Sequence, residues 1–305
     1  MSKPKLPIIE LFTSIQGEGM YAGVPSVFVR VTGCNLRCIF KNSICDTPYS
    51  SFNPEKPKFT VEDVAKEFIN HPKVNHLVIT GGEPTLYDLD GFIEELNSIL
   101  FKETGIDRAY NIEVTIETNG TNEISKKLLN TLELISVSPK LSASCLSDRV
   151  IKELEDPNGN VGIQINDGID EKGNCKKKDV WASAEQLRNH NKNRINIDVL
   201  TDFADAFADV QYKFVYSGPE SEKEILEIRD KIADKLQLRY PDVGSEDLRE
   251  VIDEYIWLMP EGIDSERLSE TAKEAVEVCI RNGWHYTDRL HIRIIFRSLS
   301  LPAST

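Results

Sequence analysis

An α/β fold, a mostly parallel sheet with helices outside it, is predicted by three features of the 305-residue sequence. Short apolar, β-branched stretches alternate with helix-length amphipathic ones, and parallel strands need crossovers of that kind. Polar, glycine-rich turns follow the strands directly ("VTGCN", "ITGGEP", "IETNG"; "SVSPK" is similar), and right-handed crossovers gather such turns at one rim of the sheet. The rhythm runs through most of the chain without an internal repeat or low-complexity tract, so a single domain over 1–305 is expected, with an inserted or elaborated segment at about 141–209.

In chain order, an N-terminal segment ends in "TSIQGEGMYAG", and "PSVFVRVTG" then reads as a strand that delivers a cysteine loop. "FTVEDVAKEFINH" reads as a helix with Thr60 as N-cap and Asp63 three residues on. Strand "HLVIT", helix "DLDGFIEELNSIL", strand "YNIEVTIET", helix "TNEISKKLLNTL" and strand "LISVS" follow. The rhythm breaks over 141–209, which carries Asp-Pro-Asn-Gly and the run Lys176 to Lys178. It resumes with strand "VQYKFVYSG", helix "ESEKEILEIRDKIADKLQL", strand "YIWLMP", a helix over 264–282 and a final strand "LHIRIIF".

A formal charge of -14 works against binding phosphate backbones, so a small molecule or a protein is the expected partner and nucleic acid is not. The start "MSKPKLPIIELFTS" lacks a basic-apolar leader, and no apolar run approaches the roughly 20 residues of a membrane span, which points to a soluble, cytoplasmic protein without membrane contact. Of six cysteines, Cys145, Cys175 and Cys279 are scattered without framework spacing, as in a reducing compartment. Cys279 shares a helical face with Leu268, Ala272 and Val276 and reads as a buried core thiol; no function is assigned to Cys145 or Cys175.

Cys34, Cys38 and Cys45 stand apart, spaced C-x3-C-x6-C on one turn-rich loop. Three readings are open on residues alone. A structural zinc would need a fourth ligand from afar, since the nearest histidines, His71 and His76, lie beyond a predicted helix. A disulfide would leave a spare thiol. An iron-sulfur cluster held by three thiolates would keep one iron open for a ligand.

With "GCNLRC", "CDT", "TGGEP" and "ETNG", the chain resembles the radical S-adenosylmethionine (SAM) enzymes. "FTSIQGEGMYAG", "VFVRVTGCNLRC", "CDTPYS", "ITGGEPTL", "IETNGT", "SVSPK", "YKFV", "LMPEG" and "RLHI", in that order from residue 12 to 292, resemble more specifically the 7-carboxy-7-deazaguanine synthase family. The resemblance implies a partial (β/α) barrel of the radical SAM type and a lyase acting on 6-carboxy-5,6,7,8-tetrahydropterin. Its cofactors would be a [4Fe-4S] cluster on Cys34, Cys38 and Cys45, SAM, and Mg2+ on Thr47 with Asp46 in reserve. It places Gly81, Gly82, Glu83, Ser138, Pro139 and Lys140 against SAM, and Gln16, Gly17, Glu18, Arg30, Thr80, Glu117 and His291 against the pterin. It assigns no catalytic side chain, and it implies a flavodoxin- or ferredoxin-type reductant and a homodimer.

Each position also has a plainer reading: Arg30 as a strand residue paired with an acid, Glu117 as a helix cap, Lys140 as a solvated charge, His291 as a core histidine. Two departures stand out. The family's commoner spacing is C-x3-C-x2-C, so "KNSI" after Phe40 adds four residues, expected to loop outward at little entropic cost while Cys45 still reaches the cluster. "RIIFRSLSLPAST" replaces a usual glycine-containing end. The alternatives are another radical SAM enzyme, such as a glycyl-radical activase, which would have no use for Gln16, Glu18, Arg30 and Glu117 together, and a zinc-binding interaction module.

Overall fold

The computed structural model describes residues 3–40, 43–105, 112–169, 175–262, 265–290 and 294. Its strands are β1 (Ile8–Ile15), β2 (Pro25–Val31), β3 (His76–Gly81), β4 (Glu113–Thr118), β5 (Leu134–Val137), β6 (Asn160–Ile169), β7 (Cys175–Ser183), β8 (Asp209–Tyr216), β9 (Ile256–Pro260) and β10 (His285–Tyr286). Its helices are α1 (Pro48–Ser51), α2 (Val61–Asn70), α3 (Leu89–Thr104), α4 (Lys126–Leu129), α5 (Asp148–Leu154), α6 (Ala184–Asn193), α7 (Ile197–Ala204), α8 (Pro219–Arg239), α9 (Ser245–Tyr255) and α10 (Ser265–Asn282). One sheet runs β1-β2-β3-β4-β5-β8-β9-β10, and only the β1–β2 pair in it is antiparallel. Strands that neighbour in sequence neighbour in space, as in an open (β/α) barrel.

The two faces of this sheet differ in chemistry because side chains alternate along each strand. Val29, Ile79, Ile116, Ile135 and Val210 lie side by side across five strands, all fully or nearly fully buried in the main core. Phe68 of α2, Leu96 of α3, Leu200 and Phe203 of α7 and Ile228 of α8 join them there. Each such side chain removed from water contributes about 1.5–3 kcal/mol, so this outer face supplies the stability of the fold. One residue further along, the opposite face presents Arg30 beside Thr80, and Glu117 beside Ser136 beside Gln211. This row of the inner face is therefore polar.

The chain that leaves β1 turns inward over this row. Met20 N–H donates to Gln211 Oε1 (2.8 Å), Gly19 N–H to Thr287 Oγ1 (2.6 Å), and Leu290 N–H to the Gly17 carbonyl (2.9 Å). The segments leaving the two edge strands thus meet, which curls the sheet. Gly19 has φ +73, and a Cβ there would stand 2.4 Å from Gln211 Nε2, so only glycine lets the loop settle on the barrel interior.

The predicted helix at 60–70 starts at Thr60, whose N–H is accepted by Asp63 (3.1 Å). Three elements differ from expectation. β1 lies within what reads as an irregular N-terminal segment, because its half-exposed edge position blurs the alternation. α9 sits between longer motifs and has no counterpart among the predicted elements. The helix predicted over 121–132 shrinks to α4, because Ser125 caps Leu128 N–H (2.9 Å) and starts the helix there. The final strand over 290–296, with His291, falls outside the described residues apart from Leu290 and Ile294; the last described strand is β10.

The segment at 141–209 holds α5, the β6–β7 hairpin, α6 and α7. Ile151, Val161, Ile163, Val180, Ala182 and Leu187 of this segment form a second apolar cluster, closed by Ile39, Ile44 and Phe52 from the cysteine loop and α1. The lengthened cysteine loop and the inserted segment therefore pack on each other.

Candidate active site

A cleft opens at the C-terminal ends of β3, β4, β5, β8 and β9, and the cysteine loop after β2 forms one wall. Its lining brings together Cys34, Cys38, Cys45, Asp46, Thr47, Thr80, Gly81, Gly82, Glu117, Ser138, Lys140 and Glu18. Gln16 and Arg30 stand behind this lining, each tied to an acid, and Glu83 and Pro139 are buried beneath it.

Cys45 lines the same cavity as Cys34 and Cys38. Ile39 and Ile44 pair as an antiparallel bridge, Phe40 N–H donates to Ser43 O (2.8 Å), and Cys45 N–H donates to Cys38 O (3.0 Å). These contacts form a neck that sets Cys45 beside Cys38. Among the described residues no three Cys, His, Asp or Glu side chains converge on one ion position. Cys34, Cys38 and Cys45 line one cavity wall, a thiol donor set of the kind an iron-sulfur cluster takes. Burial, with Glu83 second, pushes the Cys34 thiol up to about 12, and burial drives Cys38 higher still. Bound metal, not the protein surroundings, would hold them as thiolates, so assembly would release protons.

The "GGEP" turn locks this loop to β3. Gly82 N–H donates to Val31 O (2.9 Å) and Glu83 N–H to Gly33 O (2.8 Å), so the two turns cross in contact. A Cβ on Gly82 would lie 1.9 Å from the Gly33 carbonyl oxygen. Glu83 is fully buried and its carboxylate is taken up within the protein: Oε1 accepts from Thr85 Oγ1 (2.5 Å), Thr85 N–H (3.1 Å) and Thr118 Oγ1 (2.7 Å), and Oε2 from Asn119 N–H (2.7 Å). It binds the turn after β3 to the turn after β4, leaving the backbone of Gly81 and Gly82 on the cleft. Lys140 Nζ donates to Ser138 Oγ (2.7 Å) at the cleft wall, and the Lys140 carbonyl accepts from Arg194 Nη1 (2.6 Å).

Deeper in the barrel, Glu117 accepts from Thr80 Oγ1 (2.6 Å) and from Gln16 Nε2 (3.1 Å). Gln16 Oε1 is held by Gly17 N–H (2.7 Å) and Glu18 N–H (3.2 Å), which fixes which end of the amide faces Glu117. Lys213 Nζ, on a side chain only 6% exposed, lies 2.7 Å from Glu18 and 3.8 Å from Glu117. Burial alone would lower this lysine, but Glu18 and Glu117 outweigh it and hold it above its ordinary value. Arg289 bonds Glu18 Oε1 through Nε (3.0 Å), the Gly262 carbonyl through Nη1 (2.9 Å) and Asp46 through Nη2. Burial opposes its charge too, and Glu18 and Asp46 overcome that and raise it. Arg30 gives its Nε–H to Glu10 (2.5 Å), and Tyr49 Oη donates to the same carboxylate (3.1 Å). Thr47 Oγ1 sits 3.4 Å from Cys45 Sγ.

Lys213, Arg289 and Asn119 are cleft residues that the motifs do not single out. Lys213 and Arg289 lie inside the quoted "YKFV" and "RLHI", and Asn119 inside "ETNG". Their signal is a charge or amide within an apolar strand or at its end, which needs a partner once buried.

A chain that sets three cysteines and a "GGEP" turn at the rim of an open (β/α) barrel defines a radical SAM enzyme, and residues 28–140 match the Radical SAM superfamily. The 7-carboxy-7-deazaguanine synthase of Halobacterium salinarum is 34% identical over 293 residues, which cover 95% of this chain and 91% of that protein. The synthase of Rhodopirellula baltica is 30% identical over 292 residues, covering 96% and 87%. The crystal structure of QueE from Escherichia coli shares the fold, with a TM-score of 0.51 at 19% identity over 94% of this chain and 95% of that one. The chain belongs to the 7-carboxy-7-deazaguanine synthase family.

Proposed function

We propose that this protein converts 6-carboxy-5,6,7,8-tetrahydropterin to 7-carboxy-7-deazaguanine with loss of ammonia, a step toward 7-deazapurines such as queuosine. The observation that carries this reading is one cleft that joins the three thiols to Glu18, Thr80 and Glu117. When bound, the cluster and SAM would supply the radical chemistry, hydrogen abstraction from the pterin.

The residues position and shield. Cys34, Cys38 and Cys45 would hold the cluster by their three thiolates, leaving it open to SAM. The Gly81–Gly82 backbone receives the methionine end, and Ser138, Pro139 and Lys140 receive the nucleoside. Glu117, anionic and already aimed by Thr80 and Gln16, accepts from the amino and ring N–H groups of the pterin. Arg30 turns the rest of its fork to the substrate carboxylate, and Thr47 would hold Mg2+ beside it. Gln16, Gly17 and Glu18 form the floor, and His291 completes the substrate shell. A low-potential flavodoxin or ferredoxin supplies the electron, and the protein works as a homodimer in the cytoplasm. No described helix is long and apolar enough to cross a membrane.

Anaerobic reconstitution followed by incubation with the carboxypterin, SAM and dithionite tests the reading, with the deazapurine detected by mass. Cluster formation without that product would favour another radical SAM reaction, and stoichiometric zinc without iron or sulfide would favour an interaction module.

A further inference from the structure

The backbone amides on either side of Cys38 are both taken by the 141–209 segment. Arg37 N–H donates to His190 Nδ1 (3.2 Å), and Ile39 N–H to the Ser144 carbonyl (2.9 Å). His190 is 1% exposed, in the last turn of α6, and is absent from the cleft lining, so it reaches the cysteine loop from behind. Its hydrogen bonds form an ordered relay. The Arg37 amide makes Nδ1 an acceptor, so the proton sits on Nε2, which donates to Ser144 Oγ (3.3 Å), whose own hydrogen goes to the Leu141 carbonyl (2.7 Å). Only the neutral imidazole satisfies this chain of donors. Burial, reinforced by Arg194 and Lys140, pushes its pKa down to about 4 and keeps it neutral.

We infer that His190 is a positioning residue for the cluster: through the Arg37 amide it fixes the Cys34–Cys38 turn in the conformation that presents both sulfurs to the cleft. The inference rests on the three-thiol cluster reading and adds a role for the inserted segment, which supplies the back wall of the metal loop. The same wall receives Ile39 and Ile44, the neck that carries Cys45. A chain with added length between its second and third cysteines needs such a wall, because loop length alone does not hold two sulfurs in register.

The test compares His190→Asn with His190→Gln in the anaerobically reconstituted protein. Asparagine can place Oδ1 where Nδ1 stands and still accept from Arg37, whereas glutamine carries its amide past that point. An unsatisfied buried N–H costs about 1–3 kcal/mol, so His190→Gln should release iron to a chelator at least about fivefold faster than wild type. His190→Asn should stay near wild type, and the electron paramagnetic resonance spectrum of the reduced cluster should broaden in the glutamine variant alone. Equal release rates for Asn and Gln variants would overturn the inference, as would a wild-type rate in both. A wild-type protein that builds no cluster under the same conditions would instead remove the reading beneath it.

Discussion

Replacing Glu117 by glutamine isolates its charge from its shape. The side chains match in volume, so no cavity opens. Gln16 cannot turn to suit the new amide, because its Oε1 is held by two backbone N–H groups and its Nε2 must keep donating. The oxygen of the introduced amide therefore faces Gln16, and its NH2 faces Thr80, whose hydroxyl can accept. What disappears is the anionic acceptor offered to the pterin. Charge-assisted hydrogen bonds contribute about 1.5–3 kcal/mol and neutral ones about 0.5–1.5, so two weakened bonds cost about 2–3 kcal/mol. That corresponds to a pterin Kd about 30- to 150-fold weaker. Anaerobic equilibrium binding of the carboxypterin, alongside SAM binding and iron content, reads it directly. A variant with intact cluster and wild-type pterin affinity refutes the placement of Glu117 against the substrate.

Gly82→Ala sets a Cβ 1.9 Å from the Gly33 oxygen, and overpacking at about 1–3 kcal/mol should push the cysteine loop off β3; lower iron and sulfide per chain after reconstitution would show it. Arg289→Met leaves Glu18 and the exposed Asp46 without their shared cation, and breaking the largely buried pair with Glu18 costs roughly 3 kcal/mol, so the urea midpoint should fall while Arg289→Lys recovers only part of the loss. His76 is fully buried between Ser26 Oγ (2.7 Å) and Thr115 Oγ1 (2.8 Å), and burial lowers it from 6.5 to about 4. Between those values the unfolded chain binds more protons, so stability is present above about pH 6.5 and is lost as pH falls toward 4, by about 2 kcal/mol at pH 5. His76→Gln should show a smaller drop in urea midpoint from pH 7.5 to 5 than wild type; an unchanged drop would assign the acid sensitivity elsewhere.

The parallel sheet was legible because its outer-face residues, such as Val29, Ile79 and Ile116, make each strand read as apolar and β-branched, and because the turns that follow carry the rim motifs. Partners were less legible. Glu83 looked like a group offered to the cofactor, yet its carboxylate is consumed by Thr85, Thr118 and the Asn119 amide, contacts that bridge two turns far apart in sequence. Lys213 and Arg289 gain their meaning from acids such as Glu18, 195 and 271 positions away. The 141–209 segment lacked a readable pattern because its apolar side chains are split, those of α5, the β6–β7 hairpin and α6 closing on Ile39 and Ile44 and those of α7 on the main core. No local periodicity reports such pairing.

A barrel interior lined by Glu18, Glu117, Lys213 and Arg289 is a poor choice for stability. Desolvating those charges costs several kcal/mol each, and their mutual attraction at best offsets it, so an apolar interior of equal volume would hold the sheet at least as well. The outer face already supplies the apolar burial that the fold needs. The inner row is thus free to be set by what enters the cleft, and its charges are fixed in place before anything does: Gln16 orients Glu117, Lys213 joins Glu117 to Glu18, and Arg289 joins Glu18 to Asp46 beside Cys45. One run of contacts therefore connects the substrate floor to the metal loop. In a reaction whose reactive species would attack any nearby C–H bond, holding both ends of the cleft in one frame keeps the intended hydrogen the nearest one.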